Sequence, residues 1–171
     1  MSIAFVGLGS NLGERLELLN EALRRIGRLR ATHVLAASSV YESPPIDCSK
    51  QNDFLNAVAK LFTELSPIEL LNALKRIERE LGRPERYARW SPRPIDLDLL
   101  FYDDLALQQE GLTIPHPEIP NRKFVLAPML EIEDLAHPVL NKRISELLAE
   151  TPDVSIVRKI DSLSTFNEKP R

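Results

Sequence analysis

The chain has 171 residues, of which 43% are hydrophobic and 27% charged, and its formal net charge at pH 7 is −3. This length fits one domain, and this composition excludes a wholly disordered chain. The negative charge disfavours a protein that binds nucleic acid through a general basic surface. No apolar run approaches the roughly 20 residues of a membrane-spanning helix, and the single cysteine, Cys48, fits a reducing, cytoplasmic setting. We expect one soluble domain over 1–160 and a polar, flexible tail over 161–171.

The predicted elements begin with a strand, a helix and two further strands. An apolar stretch over 2–9 is typical of a strand that ends in a glycine-rich turn over 7–13. Apolar residues at helical spacing then predict a helix over 14–27. The stretches 33–42 and 54–64 are rich in strand-forming residues and are separated by a proline-containing turn. Two consecutive strands of this kind indicate antiparallel pairing.

The second half starts with the clearest helix signal in the chain. Ser66 fits the N-cap, Pro67 the first helical position and Glu69 the third, so a helix is predicted from here to Leu81. Prolines then interrupt the chain before 95–102, a stretch that alternates as a strand should. Its two faces would carry different residues: Asp96 and Asp98 on one, and Ile95, Leu97, Leu99 and Phe101 on the other.

The order strand, helix, strand, strand, helix, strand is that of the split βαβ arrangement. It predicts an α+β protein with a ferredoxin-like βαββαβ core and an antiparallel sheet. Helices near 122–132 and 144–150 would follow, with a possible edge strand over 155–160.

Two candidate metal ligands, Asp96 and Asp98, lie on the last core strand. Carboxylates at positions i and i+2 of a strand point the same way, two rises of about 3.3 Å apart. Two magnesium ions about 4 Å apart fit between such groups. The alternative is a solvent-facing pair of acids on an edge strand, but like charges this close are costly without nearby cations.

Arginines are concentrated in the segment that enters this strand. They are Arg83, Arg86, Arg89 and Arg93. Guanidinium groups bind phosphate oxygens bidentately and stay charged, so arginines beside metal-binding carboxylates predict phosphate chemistry. For Arg76 and Arg79, on the preceding helix, pairing with helix acids such as Glu80 is the better interpretation.

Three further features each allow two interpretations. Gly7, Gly9 and Gly13 have the spacing G-x-G-x-x-x-G, which is one residue longer than the dinucleotide-binding fingerprint. They either cradle a phosphate or form a tight turn in which Asn11 caps the following helix. His116 and Arg122, in an irregular proline-rich segment, complete an anion site or are structural. Phe54 and Phe124 sandwich a flat heterocycle or belong to the core.

Four stretches of the chain resemble the 6-hydroxymethyl-7,8-dihydropterin pyrophosphokinase family of folate synthesis. They are GLGSNLG at 7–13, IERELGR at 77–83, RWSPRPIDLDLLFY at 89–102 and LTIPHPEIPNRKFVLAPMLEI at 112–132. The resemblance implies a ferredoxin-like monomer that moves the β,γ-diphosphate of ATP onto the hydroxymethyl oxygen of the pterin and releases AMP. It also implies two magnesium ions as cofactors.

The resemblance assigns roles to individual residues. Asp96 and Asp98 would hold both magnesium ions, while Arg83 and Arg93 would contact the phosphates during catalysis. The other ATP-binding residues would be Glu78, Arg86, Leu99, Leu112, Thr113, His116 and Arg122. The pterin-binding residues would be Ser43, Pro44, Pro45, Ile46, Phe54, Asn56, Trp90, Asp96 and Phe124. Loops over 43–52 and 83–92 would close over the substrates.

Three positions depart from the family pattern. Glu85 stands where a second loop arginine is frequent in the family, and Arg86 would take the place of that arginine. Ser91 stands where the family commonly has glycine, and Lys75 where it commonly has glutamine. The alternative function is a non-catalytic, nucleotide-binding ferredoxin-like module, which would have no use for two carboxylates facing the arginines. RNA binding on the sheet fits poorly with the net charge and with the lack of paired surface aromatics on a strand.

Overall fold

The structure is a computed structural model that describes residues 1–46, 50–86 and 91–164. The elements in chain order are β1 (Ser2–Ser10), α1 (Arg15–Gly27), β2 (Thr32–Ala37), β3 (Ser39–Ser43), β4 (Phe54–Thr63), α2 (Pro67–Glu80), β5 (Asp96–Tyr102), β6 (Leu107–Gln109), β7 (Leu112–Ile114), α3 (Lys123–Ile132), α4 (Ile144–Glu150) and β8 (Arg158–Ser162). A 3-10 turn over Ile119–Asn121 precedes α3. Within the described residues, no helix is both long enough and apolar enough to cross a bilayer.

The main sheet has the strand order β5-β1-β4-β3-β8, and β2 also pairs with β4. Every pairing in it is antiparallel. When β2 and β3 are taken as one interrupted strand, the order β1-α1-β2/β3-β4-α2-β5 is that of the ferredoxin-like fold. The predicted fold class is therefore confirmed, and β6 and β7 add a separate hairpin.

The sheet carries an apolar layer on each face. The first layer packs α1 and α2 against one face, with Leu19 and Leu74 fully buried in it. The second packs α3 and α4 against the other face, with Phe101 and Met129 at its centre. Since α3 covers only part of its face, the ends of β1, β4 and β5 beside it remain available to form a site.

The start of α2 confirms the predicted capping box. The backbone N–H and the hydroxyl of Ser66 both donate to Glu69 Oε2, at 2.8 Å and 2.6 Å. The helix ends at Glu80, and Gly82 follows in a left-handed conformation with φ of 95°. Both ends are thus set by local chemistry within a few residues.

The predicted alternation along β5 is wrong at its end. Leu99 pairs with Val6, and Phe101 pairs with Phe5. Because Val6 and Phe5 are adjacent in β1, Leu100 has no partner of its own and is an extra residue in β5. Because a bulge shifts every later side chain to the opposite face, Phe101 lies in the second apolar layer and not beside Leu99.

The predicted strand over 33–42 is interrupted at Ser38. The backbone N–H of Ser38 donates to Val58 O at 2.8 Å, and its hydroxyl accepts from Val58 N at 2.9 Å. A side chain here takes the place of a backbone partner, which divides the strand into β2 and β3.

The glycine turn predicted over 7–13 starts later than expected. Gly7 and Gly9 lie inside β1, because that strand is paired on both sides as far as Gly9. Of the three glycines, only Gly13 has a positive φ, which is 75°. Asn11 does not cap α1, whose N-cap is Glu14. Its Oδ1 accepts instead from Arg93 N at 2.9 Å, which ties the end of β1 to the segment before β5.

The edge strand β8 begins and ends later than the predicted 155–160. It pairs with β3 and includes 161–162, the first two residues of the predicted tail. The remainder of that tail beyond Ser164 lies outside the described residues.

Candidate active site

A pocket lies beside α3, on the face of the sheet that α1 and α2 do not cover. Its floor is formed by β1, β4 and β5, and its walls by the end of β3, the segment after it and the start of α3. The lining residues are Gly7, Leu8, Gly9, Ser43, Pro44, Pro45, Ile46, Gln51, Phe54, Asn56, Ala57, Arg93, Asp96, Asp98, Leu100, Arg122, Phe124 and Val125. The structure therefore brings together every described residue of the predicted pterin set.

Glycines keep the floor of this pocket open. Gly9 pairs with Asp96, and Gly7 with Asp98, across the β1–β5 ladder. A Cβ atom on Gly9 would lie 3.3 Å from Asn56 Oδ1, whereas one on Gly7 would make an ordinary 3.5 Å contact with Leu100. These glycines thus belong to neither of the two structures predicted for them, a phosphate loop or a tight turn.

Asp96 is held between two arginines. Arg83 Nη1 donates to Asp96 Oδ1, and Arg93 Nε lies 3.1 Å from Asp96 Oδ2. Burial alone would raise the pKa of Asp96, but the positive charges of Arg93 and Arg83 bring that pKa below its ordinary value. Asp96 is therefore a carboxylate at neutral pH.

Asp98 has no such pairing in the described part of the chain. Burial, and then the negative charge of Asp96, raise the pKa of the Asp98 carboxyl above its ordinary value. A carboxyl in this position ionises readily only when a cation stands beside it.

The two carboxylates fit a magnesium site. Magnesium takes oxygen ligands and is usually bound by one or two protein carboxylates together with waters and substrate phosphates. Among the described residues, no group of three or more His, Cys, Asp and Glu side chains is placed to hold a metal ion. The pair, with one carboxylate still unpaired, accords with a metal that arrives with a phosphate-bearing substrate.

Glu78 supports Arg83 from behind the pocket. Its Oε1 accepts from Arg83 Nη1 at 2.9 Å, from Leu97 N at 2.7 Å and from Lys75 Nζ at 3.1 Å. Burial raises the pKa of Glu78 despite these partners. The Lys75 ammonium also donates to Leu97 O at 3.3 Å, so the residue that departs from the family pattern adds a positive charge close to Asp96.

His116 and Arg122 lie close enough to Asp98 for their charges to act on its carboxyl, and Arg122 lines the pocket. The His116 backbone N–H donates to Leu100 O at 2.9 Å, and its Nδ1 accepts from Glu118 N at 3.2 Å. Burial lowers the pKa of His116, against the opposing effect of the Asp98 carboxylate. This arrangement presents a largely neutral imidazole near Asp98.

The aromatic walls of the pocket each carry a cation. The Arg93 guanidinium lies 5.4 Å from the ring centre of Phe54, and that of Arg122 lies 5.9 Å from the ring centre of Phe124. Both phenylalanines are half-buried and line the pocket, and Phe124 also packs against the second apolar layer. Of the two predicted interpretations, the structure favours a stacking site.

Asn56 supplies a fixed polar group on the floor. It is 4% exposed, and its Nδ2 donates to Ser43 Oγ at 2.8 Å. Pro44 and Ile46 are exposed at the rim. An apolar slot with one oriented amide suits a flat heterocycle with a polar edge.

Of the predicted ATP residues, only Arg93 and Arg122 line this pocket, and Arg83 and Glu78 are buried next to it. Leu99 and Leu112 are buried in the first apolar layer, Thr113 borders a separate groove beside the β6–β7 hairpin, and Arg86 is exposed. Their ATP contacts stay predictions. Trp90, with Cys48 and Arg89, lies outside the described residues.

Sequence reasoning missed two residues that shape the site. Gln51 lines the pocket, and its Oε1 accepts from Asn11 Nδ2 at 2.9 Å. Asn11 thereby joins the end of β1 to both neighbouring loops. Neither residue stands in a periodic pattern, so only the pairing of distant segments could reveal them.

Comparison with known proteins gives a consistent result. Residues 5–134 match the family 7,8-dihydro-6-hydroxymethylpterin-pyrophosphokinase (HPPK). A 2-amino-4-hydroxy-6-hydroxymethyldihydropteridine pyrophosphokinase of Haemophilus influenzae is 45% identical over 159 residues, which cover 92% of this chain and 98% of that protein. The same-named protein of Bacillus subtilis is 42% identical, over 77% of this chain and 78% of that protein.

Other relatives are longer proteins. The bifunctional protein FolKE of Lactococcus lactis is 39% identical over 93% of this chain, which spans 46% of that protein. A crystal structure of wild-type Plasmodium falciparum HPPK-DHPS with pterin and p-hydroxybenzoate is similar with a TM-score of 0.69, over 87% of this chain and 41% of that one. At 17% identity, the structural similarity concerns the fold alone.

Proposed function

Because the chain belongs to the HPPK family, it is a pyrophosphokinase of folate synthesis, and we propose that the pocket beside α3 is where it transfers diphosphate from ATP to 6-hydroxymethyl-7,8-dihydropterin. The products would be AMP and the pterin diphosphate. One observation carries this assignment: an aromatic slot and a pair of arginine-flanked carboxylates share a single cavity. A flat heterocycle and a polyphosphate chain would thus meet at Asp96 and Asp98.

The pterin ring would lie between Phe54 and Phe124. Ring stacking on two half-buried aromatics contributes binding without charge, while the amide of Asn56 would read the polar edge of the ring. The backbone of 43–46 would complete the slot, and Trp90 would stand near it. In this arrangement the hydroxymethyl group points toward the carboxylates.

Asp96 and Asp98 would hold two magnesium ions in the pocket. Bound there, magnesium supplies positive charge to the phosphate oxygens as negative charge shifts during transfer. Arg83 and Arg93 would add fixed positive charge on the same oxygens. His116, Arg122 and the other predicted ATP residues, Glu78, Arg86, Leu99, Leu112 and Thr113, would bind or support the nucleotide.

The reaction itself requires alignment more than covalent chemistry. The hydroxymethyl oxygen attacks the β-phosphorus, the bond from that phosphorus to the α,β-bridging oxygen breaks, and AMP leaves with the bond's electron pair. The hydroxyl proton is released to solvent. No enzyme-bound covalent intermediate is needed, since holding the two substrates in line supplies most of the acceleration. Closure of 43–52 and 83–92 would exclude water from the transfer.

Product analysis tests the proposal directly. The protein is mixed with ATP, magnesium and 6-hydroxymethyl-7,8-dihydropterin, and nucleotides are separated by chromatography. AMP that forms only when the pterin is present supports diphosphate transfer. ADP would instead place the attack on the γ-phosphorus. ATP binding with no turnover would favour the non-catalytic nucleotide-binding module.

The wider properties of the chain are proposed on the same basis. We infer that 1–160 act as one catalytic domain, that the protein works as a monomer, and that its partners are small molecules rather than nucleic acid or membrane. The net charge of −3 supports the exclusion of a general nucleic-acid surface.

A further inference from the structure

The first turn of α3 carries part of the site, yet it has no cap of its own. Arg122 occupies the N-cap position, and no side chain of the N-cap residue bonds to the helix. The first helical N–H, that of Lys123, donates instead to Asp153 Oδ2 at 2.8 Å. Asp153 stands 30 residues downstream, beyond the stretch 5–134 that matches the family.

Asp153 is itself fixed in place. Its Oδ1 accepts from Ser155 N at 2.9 Å, and its own N–H donates to Thr151 Oγ1 at 3.3 Å. The Lys123 ammonium donates back to Ser155 O at 3.3 Å, so the two segments are joined at two points. An ionised carboxylate at a helix start also interacts favourably with the helix dipole.

The residues on either side of this anchor line the pocket. Arg122 precedes Lys123 and Phe124 follows it, and both of their side chains face the cavity. The helix has ten residues and contains Pro128, so the number of its own hydrogen bonds that could hold the first turn is small. If the anchor at Lys123 is lost, the first turn frays and both side chains lose their fixed orientation.

We propose that Asp153 is a positioning residue for the transfer reaction, which acts by capping α3 and thereby orienting Phe124 for the pterin and Arg122 for the nucleotide. This inference rests on the proposed function of the pocket. Asp153 does not line the pocket, so we expect its removal to change substrate affinity through the helix.

The chain offers a matched control in Asp134. Its Oδ1 accepts from Ser145 N at 2.8 Å and its Oδ2 from Ser145 Oγ at 2.8 Å, in the first turn of α4. That helix contributes no residue to the pocket. Asp134→Ala and Asp153→Ala both remove a carboxylate from a helix N-terminal N–H, but only α3 carries site residues. Asp134→Ala also removes an exposed ion pair with Arg143, at 3.1 Å.

The test measures binding in both variants, with Phe124→Ala as a reference. Dissociation constants are obtained for fluorescent 6-hydroxymethylpterin, and for the α,β-methylene analogue of ATP, whose bridging bond cannot be cleaved in this transfer. Circular dichroism and thermal melting accompany each measurement. We expect Asp153→Ala to weaken pterin and nucleotide binding by roughly tenfold, the equivalent of losing one hydrogen bond to a charged group.

Asp134→Ala should lower the melting temperature to a similar extent and leave both dissociation constants within about twofold of the wild type. Asp153→Asn keeps one acceptor oxygen and should give an intermediate affinity, so it decides the question where Asp153→Ala does not fold. Wild-type affinities in the Asp153 variants, together with weakened pterin binding in Phe124→Ala, would overturn the positioning role. Unchanged pterin binding in Phe124→Ala would overturn the assignment of the pocket, and this inference with it.

Discussion

At the scale of single residues, the paired carboxylates are distinguished by their partners. Asp96 is neutralised by Arg83 and Arg93, whereas Asp98 is buried beside a like charge. The first is already part of a balanced network, whereas the second has no ion-pair partner among the described residues, and the more distant charges of His116, Lys75 and Arg122 do not offset its burial and the charge of Asp96. This asymmetry predicts that, if the pair holds metal as proposed, Asp98 depends on it more strongly than Asp96 does.

The variant Asp98→Asn tests that assignment. Without metal, the substitution removes a charge that burial and Asp96 disfavour, so we expect stability at pH 7 to rise by about 1 kcal/mol, or roughly 2–4 °C in melting temperature. With MgATP present the wild type should gain stability and the variant should gain much less. Turnover should fall by about 100-fold or more, while pterin affinity is retained.

Thermal melting in chelator and in MgATP, an AMP assay and a fluorescence titration with 6-hydroxymethylpterin measure these four effects. Asp104→Asn serves as a control, because Asp104 is an exposed acid in the turn after β5. A variant that keeps wild-type turnover would contradict the metal assignment.

The two glycines of the pocket floor give a second residue-scale prediction. Gly9→Ala would place a Cβ 3.3 Å from Asn56 Oδ1, and Gly7→Ala would place one 3.5 Å from Leu100. Asn56 is held by Ser43 and must give way only in the first variant. We expect Gly9→Ala to weaken pterin binding by about tenfold, the loss of one oriented polar contact, and Gly7→Ala to weaken it less. Fluorescence titration of both variants checks this, and equal affinities would show that the amide of Asn56 does not read the ring.

At the scale of secondary-structure elements, α3 is attached to the sheet at its far end as well. Glu131 accepts from Ser39 N at 3.0 Å, from Ser39 Oγ at 2.7 Å and from Tyr41 Oη at 2.7 Å. Burial opposes ionisation of this carboxyl, but the bonds from Ser39 and Tyr41 leave its pKa below the ordinary value. The pKa of the Tyr41 hydroxyl is raised to about 12, mainly by burial and also by its bond to the Glu131 carboxylate.

A pH-dependent loss of stability follows for Glu131→Gln. Since the pKa of Glu131 is lower in the folded protein than in the unfolded chain, its stabilisation is complete above the ordinary value of 4.5 and is lost as the pH falls through the folded value. Because Glu131 is exposed and solvent screens its bonds, we expect the variant to lose only about 1 kcal/mol at pH 7 and the deficit to shrink as the pH falls below 4.5.

Urea unfolding at pH 7, 5 and 3 measures that difference. The neighbouring Glu133 makes an exposed ion pair with Lys60, so Glu133→Gln should cost less than about 1 kcal/mol and serves as the control. A Glu131→Gln deficit that stays constant down to pH 3 would contradict the role given to its charge.

The elements that sequence predicts well are those whose ends are set locally. The capping box at Ser66 and the helical periodicity of α1 and α2 lie within one segment of chain, so their boundaries are readable. The bulge at Leu100 and the break at Ser38 depend instead on the register against a partner strand. The start of α3 depends on Asp153, 30 residues away.

The site divides in the same way. Asp96 and Asp98 stand in a motif whose residue types indicate their chemistry, whereas Phe54 and Phe124 allow either a stacking site or a core position. The structure gathers all four in one pocket. The function of Asn11 and Gln51 arises only from contact between loops that are 40 residues apart. The open floor at Gly7 and Gly9 results from pairing with strands on both sides, which a glycine spacing alone does not reveal.

At the scale of the whole molecule, one sheet joins two apolar layers, and this predicts a single cooperative transition. Leu74 is fully buried in the layer of α1 and α2, and Met129 in the layer of α3 and α4. Both layers pack on β1, β4 and β5, so loss of either one leaves the other without its support. Leu74→Ala and Met129→Ala should each destabilise the protein by about 2–5 kcal/mol.

Each variant should shift one common transition, because a two-state domain has no stable half. Circular dichroism, differential scanning calorimetry and quenching of bound 6-hydroxymethylpterin fluorescence should therefore report the same midpoint. Ile68→Ala, at a position that is 43% exposed on α2, is the control and should move that midpoint by less than about 0.5 kcal/mol. If Met129→Ala instead separated an early loss of ligand binding from a later loss of secondary structure, the layer of α3 and α4 would be an independent unit, and the single-domain assignment of 1–160 would fail.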